Sequence, residues 1–132
     1  MDIKSHRDLF VWQRAMALAA EVGQLAARLP ASERFALATQ LRRAAVSVPS
    51  NIAEGAGRFD RGDYRRFVSI ARGSLMEVDT QIELAVVMGY LTRGEITRAE
   101  ELSQEVLRML TALWRTLKSP SAVNEPEVVA SE

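Results

Sequence analysis

Residues 40–57 read QLRRAAVSVPSNIAEGAG, and their spacing decides the fold. Leu37, Leu41, Ala45, Val48 and Ile52 recur at steps of three and four, so a helix through this stretch gathers them into one apolar stripe. Gln40, Arg43, Ser47, Asn51 and Glu54 fall on a second stripe with the same period, and that one is wholly polar. Residues so spaced are neighbours on a helix surface, which makes the stripe a candidate hydrogen-bonded ladder. Two readings follow. It is a solvated face, or it is a buried or subunit-facing network that fixes register, with Arg43, Ser47, Asn51 and Glu54 joined by Arg72 and Glu77 of the next helix. Pro49 has no N–H and its ring crowds the carbonyl of Ala45, which predicts a kink. Val48, before proline, is pushed away from the α region. Ser47, Ser50 and Asn51 are short enough to serve the freed carbonyls. Gly55 and Gly57 are expected to end the helix.

The same period continues on both sides. Residues 1–7 read as an extended lead-in, and Asp8 as an N-cap. Val11, Ala15, Leu18, Val22, Leu25 and Leu29 form the seam of a first helix, which Pro30 stops; Ser32 is the expected cap of the second. After a short link at 56–59, Asp60 caps a third helix with the inner stripe Tyr64, Phe67, Ala71, Leu75, Val78, Ile82 and Ala85. Gly73 beside Ser74 allows another helix to approach closely. Gly89 suits a helix C-terminus, and Thr92 with Glu95 forms a capping box for a fourth helix.

The fourth helix carries one stripe through Ala99, Leu102, Val106, Met109 and Leu113 and another through Leu107, Leu110, Trp114 and Leu117. The second stripe reads either as a wide core face or as a subunit interface. Four helices with short links predict an all-α, antiparallel up-down-up-down four-helix bundle over residues 1–118, with helix two kinked at Pro49. Residues 119–132 hold two prolines and three glutamates and are expected to form a disordered acidic tail.

Composition narrows the chemistry. The 132 residues contain no cysteine and a single histidine, His6, so thiolate chemistry and the usual nucleophile–histidine pairings have no candidates. Bundle di-iron sites require Glu-x-x-His motifs, which are missing. Glu54, Glu77, Asp79 and Glu83 are helix-surface acids of the kind that pair with arginine. No cofactor and no enzymatic activity are expected. No apolar run reaches membrane-spanning length and no signal segment is visible, so the expected location is the cytoplasm, with no membrane partner.

Net charge is zero, with an estimated pI near 6.6. The charge is unevenly placed. The last 14 residues hold Glu125, Glu127 and Glu132 with no base, which leaves the rest three units positive. Fifteen of the seventeen basic residues are arginine, the side chain best suited to bidentate phosphate or carboxylate contacts, although GC-rich coding yields the same bias. Arg42, Arg58, Arg61, Arg65, Arg66 and Arg72 are the candidates for nucleic-acid contacts. No interleaved aromatic platform for stacking bases is evident.

Residues 40–55, with VWQRA at 11–15, Leu29-Pro30 and Glu33, IARGSL at 70–75 with Glu77, and GYL at 89–91, closely resemble the signature of the small four-helix-bundle proteins encoded in intervening sequences of bacterial 23S rRNA genes. The likeness runs over about residues 9–117. It implies a bundle that assembles into a homo-oligomeric ring, pentameric in relatives. It also implies kinship with the accessory variability protein of diversity-generating retroelements, a strongly basic protein that works with a reverse transcriptase and nucleic acid. The neutral balance here departs from that relative. The leading expectation is a non-enzymatic homo-oligomeric scaffold. The alternative is an accessory protein that binds RNA or DNA, or a nucleic-acid enzyme, through the arginines of helices two and three.

Overall fold

The computed structural model describes residues 5–118, and the expectation of a disordered acidic tail falls outside them. Four helices run through Phe10–Ala27 (α1), Leu37–Ala56 (α2), Arg61–Val87 (α3) and Arg93–Lys118 (α4). Each packs on its chain neighbours, and α4 closes on α1. The side-chain register makes the neighbours antiparallel. Arg14 pairs with Glu105 and Arg28 with Glu95 between α1 and α4. Ser47 meets Ser74 between α2 and α3, and Asp79 meets Ser103 between α3 and α4. The expected all-α four-helix bundle is what forms.

The core takes the predicted stripes with two local shifts. Leu18, Val22 and Leu25 of α1, Leu41, Val48 and Ile52 of α2, Leu75, Val78 and Ile82 of α3, and Leu102, Val106 and Leu113 of α4 are all buried. Burying each such large side chain contributes about 1.5–3 kcal/mol. On α3, Val68 takes the buried place expected of Phe67, which lies half-buried at the edge where its ring meets two arginines. On α4, Leu110 replaces Met109 in the core.

The second α4 stripe, read either as a wide core face or as a subunit interface, needs correction as an interface at two of its four residues. Leu110 is 0% exposed and Leu117 3% exposed inside the protomer's own core, with Leu107 and Trp114 packed against its rim. The helix lies between α1 and α3 and touches both, so its buried arc is wider than one stripe.

Helix ends show what spacing alone misplaces. Asp8 does not cap α1, which has Leu9 at its N-cap without a side-chain bond; Ser5 instead caps a short 3-10 turn over His6–Asp8, its hydroxyl accepting the Arg7 N–H while the Asp8 carboxylate accepts the Ser5 N–H. Ser32 caps nothing. It sits in a 3-10 turn, Ala31–Glu33, and α2 starts later than expected, with the Glu33 carboxylate accepting the Leu37 N–H. Asp60 caps α3 by accepting the Asp63 N–H, and Thr92 and Glu95 exchange the reciprocal bonds of a capping box. Gly89 has φ +81°, the left-handed geometry that glycine adopts without strain. Helix α2 continues through Pro49 as one element, so the proline does not interrupt it. Gly55 lies inside α2, buried, and Gly57 alone caps it.

Candidate functional site

The α2–α3 seam is built from small residues. A Cβ on Gly55 would stand 2.9 Å from Cβ of Phe67 and 3.0 Å from Cδ1 of Tyr64, so only glycine lets the two helices approach this far. Further along, the hydroxyls of Ser47 and Ser74 are 2.7 Å apart. The Asn51 amide donates to the Ser47 carbonyl at 2.8 Å and to its hydroxyl at 2.9 Å. Ser47 therefore accepts from Asn51 and still has its hydrogen to give to Ser74. Each bond contributes about 0.5–1.5 kcal/mol net.

This three-residue chain replaces the six-residue network that the spacing suggested. Ser74 was missed as a member, although its place beside Gly73 marked a close approach. Arg43, Arg72 and Glu77 are exposed, and among the described residues no hydrogen bond or ion pair ties them to the chain. Glu54 turns outward to Arg58 at 2.9 Å. The cause is steric: where serine and glycine set the spacing, long side chains have no room between the helices and rotate into water.

The second feature is one end of the bundle, where α2 stops, α3 begins and α4 stops. Four of the six candidate arginines gather there. Arg61 donates to the Thr116 carbonyl at 2.5 Å, satisfying one of the open acceptors at the negative end of α4. The guanidinium carbons of Arg58 and Arg66 lie 4.8 and 4.6 Å from the centre of the Phe67 ring. Arg65 and Lys118 lie 4.8 and 5.4 Å from that of Trp114. Such contacts contribute about 0.5–1 kcal/mol at exposed sites. Phe59, at the tip of the α2–α3 link, is wholly exposed. The sequence pattern did not reveal this mixing of rings and cations, because Phe67 and Trp114 come from helices far apart in the chain. Arg42 and Arg72 are exposed elsewhere, in the first half of α2 and the middle of α3.

A third feature is a notch of about 200 Å³ between α3 and α4, lined by Asp79, Ile82, Glu83, Glu100, Ser103 and Gln104. Ser103, buried on α4, donates to Asp79 Oδ1 at 2.5 Å. Desolvation pushes the Asp79 carboxyl above its ordinary range, and the Ser103 bond partly opposes this. The Arg93 guanidinium bonds Glu83 and holds that carboxyl below its ordinary range. Among the described residues no three His, Cys, Asp or Glu side chains come together to hold a metal ion, and no helix is long and apolar enough to cross a membrane.

The sequence fragments that stood out meet in space. Residues 40–55 and 70–75 share the small-residue seam, through Ser47 and Ser74. Glu33 and the 89–91 fragment meet where the Tyr90 hydroxyl donates to Glu33 Oε2 at 2.8 Å, while the other Glu33 oxygen holds the start of α2. Together these contacts define a class: a small antiparallel four-helix bundle whose distinctive sequence marks one tight interhelical seam and the clasp at its far end. The chain belongs to the 23S rRNA-intervening sequence protein family, whose family model matches residues 7–112, from just before α1 to the last turns of α4. No curated protein is significantly similar to it.

Proposed function

We propose that the protein is a non-enzymatic, cytoplasmic scaffold whose copies assemble into a ring, pentameric as the family resemblance implies. The observation that supports this is the outward face of α3. Ile70, Leu84, Val87 and Met88 are exposed there, Val87 at 73%, with Val46 exposed on neighbouring α2. Thr80 spends its hydroxyl on the Met76 carbonyl of its own helix, which leaves its methyl group to the surface. Gly73 sits in the middle of this face with nothing within 4 Å of where a Cβ would stand. A mid-helix glycine costs about 0.5–1 kcal/mol relative to alanine, and within one protomer nothing offsets that cost. With Leu110 and Leu117 committed to the core, this face is the better candidate for contact between copies. Light scattering tests the reading. A solution mass of five chains is expected, reduced by Leu84→Glu with Val87→Glu; a monomer at micromolar concentration refutes it.

The gathering of Arg58, Arg61, Arg65 and Arg66 beside Phe59, Phe67 and Trp114 favours a second reading, an accessory that binds nucleic acid and is kin to the accessory variability protein. Phosphate neutralisation together with ring and guanidinium stacking suits structured or single-stranded regions. Gel retardation of a structured RNA should then weaken with salt and be lost in Arg65→Glu with Arg66→Glu. Binding that persists in that variant, or that ignores salt, removes this reading.

A further inference from the structure

Helix α1 is the least charged element of the bundle. Its 18 residues include only Arg14 and Glu21 as charges, whereas the 26 of α4 include nine. Its outward side still bears a periodic row, Phe10, Gln13, Ala17, Ala20, Gln24 and Ala27, across the helix from the buried Leu18 and Val22. Phe10 is 55% exposed, and Met16, on one flank of the row, 46%. Gly23 on that flank has nothing within 4 Å of where its Cβ would stand. On the other flank Arg14 donates to Glu105 through Nε alone, and no hydrogen bond or ion pair among the described residues holds Glu21.

The row is a palindrome. Its steps of three, four, three, four and three read the same in both directions. A two-fold axis level with the middle of α1, between Leu18 and Ala19, therefore sets Phe10 opposite the partner's Ala27, Gln13 opposite the partner's Gln24 and Ala17 opposite the partner's Ala20. The axis keeps each flank on its own side, so Arg14 neighbours the partner's Glu21 and Met16 neighbours the partner's Gly23. We propose that this face of α1 docks a second copy of the chain, antiparallel and self-complementary. Large side chains meet small ones, and opposite charges meet. The Gln13 amide is engaged by the Arg7 carbonyl, which leaves its side-chain oxygen to accept from the partner's Gln24. A parallel pairing would instead set Phe10 against Phe10 and Arg14 against Arg14. Both α1 and α3 pack on α2 and α4, so α1 lies across the bundle from α3 and the contact does not rest on the proposed ring. One pair of helices this short covers less than the ~1,200 Å² of a standard interface, so the contact is weak and fills above micromolar concentration.

The chain has no cysteine, so single introduced cysteines report the register by oxidation at high micromolar concentration. With a rise of about 1.5 Å per residue and axes about 8–9 Å apart, the two copies of position 17 come about 6 Å apart, within disulfide reach. The two copies of position 13, like those of position 24, stand about 16 Å apart along the helix and are out of reach. Ala17→Cys should therefore cross-link to itself. Gln13→Cys and Gln24→Cys should each fail alone and cross-link when mixed. Adding Glu21→Arg to Ala17→Cys should slow its cross-link about tenfold, because two attractive pairs become repulsive. Helical circular dichroism checks that each variant folds, and the exposed positions 13 and 24 test the register independently of position 17. Self-cross-linking at position 13 or 24 marks a parallel or random encounter and overturns the proposal. So does a mixture of those two variants that stays uncrosslinked, or a rate at position 17 indifferent to Glu21→Arg.

Discussion

Adding one methyl group at Gly55 asks the α2–α3 seam for space it lacks. The new Cβ would press on Phe67 and on the Tyr64 ring, and overpacking of this kind costs about 1–3 kcal/mol, more than the ~1 kcal/mol that alanine gains in helix propensity. Gly73→Ala meets nothing within the protomer and should stabilise it by about 0.5–1 kcal/mol. Measured on the dissociated chain, in the Leu84→Glu with Val87→Glu background, urea midpoints of the two variants should therefore move in opposite directions. Asp79 supplies a pH test. Its folded-state pKa lies above the ordinary 3.8. Below that value both states are protonated and the group contributes nothing. As pH rises past it, the unfolded chain releases its proton first and stability falls until the folded pKa is passed. Asp79→Asn keeps an oxygen for Ser103 and removes the ionisation, so its stability relative to the parent should rise between about pH 3 and pH 7. A constant difference across that range would show that Asp79 ionises alike in both states.

Helices were the most legible elements and their ends the least. Leu37, Leu41, Ala45, Val48 and Ile52 are all buried as the period requires, because a stripe at steps of three and four has no other place to go. The start of α2 was misplaced because its cap is the Glu33 carboxylate, a long side chain four residues before Leu37, and not a short residue at the first turn. The polar stripe was only half legible. Its serine and asparagine lie in the seam, but spacing does not tell whether an arginine or glutamate on the same face turns inward or out. Helix α4 misled for a different reason: two adjacent apolar stripes do not distinguish a helix with two neighbours from one with a neighbour and a partner. Leu117→Ala separates these directly. As a core truncation it should cost about 2–5 kcal/mol in thermal or urea unfolding. Trp114→Ala, at the half-buried rim, should cost less.

At the scale of the molecule, the seam and the clasp divide the labour. Ser47 with Ser74 and Gly55 with Tyr64 bind α2 to α3, while Glu33 and Tyr90 tie the α1–α2 connection to the α3–α4 connection. The even number of antiparallel helices also brings the first and last described residues to one end. His6 lines a groove with Glu54 and Arg58 there, and Arg61 reaches the last turn of α4. The order of the chain is then separable from the shape of the bundle. A circular permutant that bridges Lys118 to Ser5 with a short glycine–serine linker and opens between Met88 and Thr92 should keep helical circular dichroism and cooperative melting, because α4, α1, α2 and α3 then follow one another in the chain and each still packs on the same antiparallel neighbours. Its weakness should show at the new opening, where the Tyr90 clasp would hang from a free terminus.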